Sequence, residues 1–75
     1  MKKEDRQIVW EKNGVSQNGY YKRTFLFDLN FADKVELRFF FPGSYIASYI
    51  TKYATVKSAK RGAERFLKRL QEAVK

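Results

Sequence analysis

The chain contains no cysteine and no histidine. Without thiols, no disulfide framework stands in for a core and no thiolate zinc site is possible. Without imidazole, most metal-site and nucleophile–base arrangements lose a necessary member. The eight carboxylates, Glu4, Asp5, Glu11, Asp28, Asp33, Glu36, Glu64 and Glu72, are scattered and follow no EF-hand or other metal-loop spacing. The expectation is a chain that is not an enzyme and takes no cofactor and no metal. Long apolar runs are missing as well. Nothing approaches the ~18 residues of a membrane span, and the charged start Met1–Gln7 leads into no signal-peptide core. A cytoplasmic location and no membrane partner are expected.

What the chain does have is aromatic and basic. Its 75 residues support one domain. A domain of this size buries only about 60% of its unfolded surface, so every apolar side chain counts. Thirteen residues are aromatic: Trp10, five Tyr and seven Phe. Aromatic rings bury the most area per residue. The net charge is +8, and it is uneven. Residues 52–75 hold eight basic side chains against two acidic, a net of +6, whereas residues 1–51 hold eight against six, a net of +2. A basic segment carried on an ordered helix is the footprint of a polyanion partner. Solvation of a helix, a protein partner and lipid headgroups are the competing explanations.

Along the chain, residues 1–6 read as a flexible arm and 7–75 as a single small α+β domain. Gln7–Lys12 reads as a strand. Asn13-Gly14 and Asn18-Gly19 are turn signals, because Asn and Gly tolerate positive φ, and they bracket a loop. Tyr20–Leu29 alternates: Tyr21, Arg23, Phe25, Phe27 and Leu29 on one face, Tyr20, Lys22, Thr24, Leu26 and Asp28 on the other. Asn30–Asp33 turns the chain. Lys34–Phe41 alternates again, with Val35, Leu37, Phe39 and Phe41 opposed to Glu36, Arg38 and Phe40. Period 2 with aromatic and β-branched residues predicts strands with one buried face, here a three-stranded antiparallel meander. Pro42-Gly43 ends it. Residues 44–54 are ambiguous. Tyr45, Ile46, Tyr49, Ile50 and Tyr53 recur at helical spacing, which favours a short helix, yet Tyr, Ile and Thr prefer strands, which favours a fourth.

The last element is an amphipathic helix. Val56, Ala59, Ala63, Phe66, Leu67, Leu70 and Val74 form one apolar stripe, and Thr55 stands at the N-cap position. Phe25, Phe27, Leu37, Phe39, Ala63, Phe66 and Leu70 are expected to be buried together. Gly62 costs an interior helix up to ~1 kcal/mol, so a close approach of the helix to a strand or to residues 44–54 is expected there.

Three features point to function. Arg61, Arg65, Lys68 and Arg69 share the outer arc of the helix with Glu72, and Lys57 and Lys60 lie near its start. Such a row suits a phosphate ladder, or simply a solvated helix. Lys22, Thr24, Arg38, Tyr20 and Phe40 fall on the outer sheet face, where Tyr20 and Phe40 are candidates for base stacking and Lys22 and Arg38 for nucleic-acid contact. Phe40 in a second core or a dimer interface is the alternative. Tyr45, Tyr49 and Tyr53 form a row that packs an edge or binds a partner. Thirteen aromatics exceed the needs of one sheet face and one helix, so Phe40, Tyr45 or Tyr49 is expected to be exposed at an interface.

The order of three strands and a helix, with a basic surface, resembles the N-terminal DNA-binding domain of phage and transposon integrases over roughly residues 7–74. That resemblance implies DNA docked on the open sheet face and implicates Lys22, Thr24 and Arg38. The run from Tyr53 to Phe66, with Thr55, Ala59, Gly62 and Ala63, is similar to the start of the helix in the small YegP-like bacterial family, which supports a fold and no activity. The reading is a small basic nucleic-acid-binding protein, DNA ahead of RNA, such as a phage or mobile-element accessory factor. The alternative is a protein–protein interaction module or inhibitor that uses its basic helix and exposed aromatics, or a homodimer.

Overall fold

The computed structural model describes residues 7–73. The expected arm at 1–6, and Val74 of the expected apolar stripe, lie outside the described residues. Five strands precede one helix: β1 (Ile8–Asn13), β2 (Ser16–Tyr21), β3 (Thr24–Phe31), β4 (Val35–Phe39), β5 (Tyr49–Tyr53) and α1 (Val56–Ala73). The strands form one antiparallel sheet in sequence order. The α+β class, with the helix on the sheet, is as the sequence suggests, but the sheet has five strands where three were expected.

Both extra strands have a physical reason. The supposed loop after Asn13 is a tight hairpin, in which Gly14 (φ 65°) turns the chain and Ser16–Tyr21 pairs with β1. Only Asn13-Gly14 acts as a turn; Asn18-Gly19 lies inside β2. Gly19 is there because Trp10 crosses it, and a Cβ at this position would stand 2.8 Å from the indole. The long alternating run Tyr20–Leu29 is in turn two strands, broken at Lys22 and Arg23 (φ 49° and 68°). Residues 44–54 hold a strand and no helix. Tyr49 and Tyr53 are four apart, a spacing that keeps one face in a helix and in a strand alike, so helical periodicity could not separate the two. Pairing with β4 decides it, with Phe39 opposite Tyr49 and Val35 opposite Tyr53.

One sheet face carries the core. Phe27 and Leu29 are fully buried, and Leu37, Phe39, Val35, Ile8 and Leu26 join them. From α1 come Ala59, Ala63 and Leu67, with Val56, Phe66 and Leu70 partly buried against the same cluster. Each large apolar side chain so buried stabilises the fold by about 1.5–3 kcal/mol. Phe66 lies among three rings: Phe39 at 4.7 Å, Phe27 at 6.0 Å, and Tyr49 stacked at 5.0 Å.

Phe25 is not among them. A bulge between β2 and β3 sets Gly19 opposite Phe27 but Tyr20 opposite Phe25, leaving Leu26 as the extra residue. Phe25 is thereby turned to the other face, against Tyr20 (5.9 Å) and Phe40 (5.2 Å), and Leu26 enters the core instead of the outer face.

The helix is tied down locally. Thr55 Oγ1 accepts the Ser58 N–H at 3.1 Å, the expected N-cap. Gly62 lies under the Tyr53 ring, whose hydroxyl occupies the place a Cβ would need. Glu64 accepts hydrogen bonds from the N–H groups of Gln7 (3.0 and 3.1 Å) and Ile8 (3.0 Å), joining α1 to the start of β1.

Candidate nucleic-acid interface

The apolar stripe of α1 faces the sheet, so the opposite side of the helix must face solvent. Lys57, Arg61, Arg65, Lys68 and Arg69 are all exposed there. At 1.5 Å per residue the row spans about 18 Å from Lys57 to Arg69. None of the five makes an ion pair with a described residue. Glu64 sits on the same helix but is spent on the Gln7 and Ile8 amides, leaving exposed Glu72 as the acid of this arc. Lys60 stands apart from the row: it is half-buried, with its ammonium 5.5 Å from the centre of the Trp10 ring.

The outer sheet face is organised differently. Its central row runs Glu11, Asn18, Asp28 and Arg38 and ends at the apolar Ile50 on β5, with Asn30, Glu36 and Lys52 beside it. Three acids stand there against two bases. Arg38 is clamped by Asp28 in a two-point pair, Nε to Oδ1 at 2.9 Å and Nη2 to Oδ2 at 2.8 Å. These hydrogen bonds raise the Arg38 pKa above its ordinary value, outweighing partial burial. The guanidinium also lies over Phe40, 5.8 Å from the ring centre.

Candidate residues on this face are therefore redistributed. Phe40 is only 8% exposed, packed on Phe25, and presents no free ring for a base. Tyr20 is half-buried against Phe25. Lys22 is not on the sheet face at all: it sits in the β2–β3 turn, its ammonium 5.3 Å from the Tyr21 ring. Thr24 is exposed at the start of β3, beside a shallow recess lined by Phe25, Phe40, Gly43, Ser44 and Tyr45. Of the three residues expected at an interface, Tyr45 (97%) and Tyr49 (49%) are exposed and Phe40 is not.

The two candidate surfaces lie on opposite sides of the sheet and cannot grip one ligand together. Sequence reasoning found the helical row but missed Arg23, which shares the Lys22 turn, and the Asp28 clamp. The expected turn at Asn30–Asp33 would set residue 28 opposite 35; β3 instead runs on to Phe31, and the turn at 32–34 sets Asp28 opposite Arg38.

Among the described residues there is no group of three or more potential metal ligands, and no helix is long and apolar enough to cross a membrane. No family model, curated protein or solved structure matches the chain.

Proposed function

We propose that this domain binds nucleic acid through the outer face of α1, which lies along the phosphate backbone. The observation that carries the reading is the row of Lys57, Arg61, Arg65, Lys68 and Arg69. These are five exposed cations on a rigid rod, without ion-pair partners among the described residues, on a helix whose other side is committed to the core. The outer sheet face supports binding less well, because its acids outnumber its bases and Arg38 is already engaged. An evenly spaced row of cations suits contact with the phosphate backbone, which positions a protein without reading sequence. Duplex DNA is the first ligand to test, ahead of RNA, because the regularly spaced phosphates of a stiff duplex suit a straight row of cations.

The test is fluorescence anisotropy with labelled duplex DNA, single-stranded DNA and RNA over a salt series. Contact with about four phosphates gives a slope of log K against log salt of about −3 to −4. Arg65→Ala with Lys68→Ala reduces that slope by about 2 units, weakens all sequences alike and leaves the fold intact. Absence of affinity for any of the three at low salt overturns the reading. A protein partner is the second reading, favoured by the exposed apolar residues at 41–50.

A further inference from the structure

The two edges of the sheet are not alike. At β1, Glu64 takes the N–H groups of Gln7 and Ile8, and exposed Glu11 and Lys12 place charge along the strand. Charged or covered edges resist pairing with another strand. At β5, Lys52 is the one charged residue, and no described strand pairs with its outer side. The segment leading into β5 is unusual for this chain. Residues 41–50 contain no charged side chain, yet they hold five of the eight exposed large apolar residues: Phe41, Tyr45, Ile46, Tyr49 and Ile50.

We propose that β5 pairs antiparallel with β5 of a second copy of this chain, continuing the sheet across a twofold axis. An open, weakly charged, apolar edge is a template for another strand, and the symmetry restricts the register. A twofold normal to the sheet keeps each residue on its own face, so directly opposed residues must come from the same face and the axis must pass through a residue. At Thr51 it aligns the whole strand. Tyr49 then lies opposite Tyr53 of the second copy on the helix side, and Ile50 lies opposite Lys52 on the outer side. The same register carries Ile46 towards Val56 and Tyr45 towards Lys57 of the second copy.

The charges permit this despite the chain's net +8. Within each copy Lys52 stands opposite Glu36 and Arg38 is held by Asp28, so both sheet cations near the seam have an acid beside them, and Lys57 meets the uncharged Tyr45 of the second copy. A polyanion has nothing to hold on residues 41–50, whereas an isologous contact closes on itself and removes the edge. Both helices then lie on one face of the continuous sheet, and the basic surface doubles.

Sedimentation equilibrium without nucleic acid tests the pairing. The expected result is a species of twice the 8.9 kDa chain mass at micromolar concentration. Ile50→Lys sets a like charge opposite Lys52 and is expected to weaken association at least about tenfold, with unchanged circular dichroism because Ile50 is exposed. Val9→Lys, on β1, leaves association unchanged. Amide exchange gives a readout independent of any substitution: β5 amides gain protection as concentration rises and β1 amides do not. A monomer up to millimolar concentration, or a dimer insensitive to Ile50→Lys, overturns the proposal. Arg65→Ala with Lys68→Ala leaves association intact, so failure here and failure of nucleic-acid binding are told apart.

Discussion

The β2–β3 turn is the most economical place to test the structure. Lys22 and Arg23 occupy its two central positions with φ of 49° and 68°. Positive φ at both is the requirement of a type I′ turn, whose preferred pair is Asn-Gly. A residue with a Cβ held in the left-handed region loses roughly 1–2 kcal/mol. Asparagine offsets that cost by local hydrogen bonding of its short amide and glycine has no Cβ, so Lys22→Asn with Arg23→Gly removes about 2 kcal/mol of strain, taking the low end for each residue. Two terms oppose it. The exposed Lys22–Tyr21 cation–π contact is worth about 0.5 kcal/mol, and glycine adds freedom to the unfolded chain worth about 0.5 kcal/mol. The net gain is about 1 kcal/mol, which in a domain of this size raises Tm by about 4–8 °C. Urea and thermal melts followed by circular dichroism measure it directly. An unchanged or lowered Tm refutes the turn geometry, since no other described contact of these two side chains offsets the gain.

Other substitutions probe the packing. Gly62→Ala destabilises the domain by about 1 kcal/mol or more despite alanine's better helix propensity, because the new methyl displaces the Tyr53 ring; in a Tyr53→Leu background the same change stabilises by up to about 1 kcal/mol. Denaturant melts of the four-member cycle show whether the sign switches. Phe27→Ala empties the centre of the core and is expected to cost about 3–5 kcal/mol, leaving the domain largely unfolded at 37 °C by circular dichroism. Thr55→Ala removes the N-cap and is expected to cost about 1 kcal/mol in the same melts.

The parts of the fold legible in the sequence are those where one local rule acts alone. The Val56–Leu70 stripe, the Thr55 cap and the close approach at Gly62 all follow from helix geometry and are all present. The alternation of β4 holds from Val35 to Phe39 because no bulge interrupts it. Elsewhere a tertiary contact overrides the local signal. Ser16–Gly19 lacks the apolar pattern of a strand and becomes one because Trp10 and Phe27 flank Gly19. Lys22-Arg23 lacks turn chemistry and turns because the strands on either side pair. One extra residue at Leu26 reverses Phe25, which no count of alternating residues reveals. For the candidate interface, the helical row was visible because it needs only helix periodicity. The engagement of Arg38 and the burial of Phe40 depend on cross-strand register.

The order of the sheet has a kinetic consequence. Each strand pairs only with its neighbours in the chain, through connections of two, two, three and nine residues. Closing such short loops costs little entropy and occurs in microseconds. The sheet can therefore zip from any hairpin outward, with no crossover to wait for. The contacts that span the chain are few and belong to the helix: Glu64 reaches back 57 residues to Gln7 and 56 to Ile8. Search time on the folding path is therefore concentrated in one event, the docking of the helix across the sheet, which also supplies most of the helix's stability.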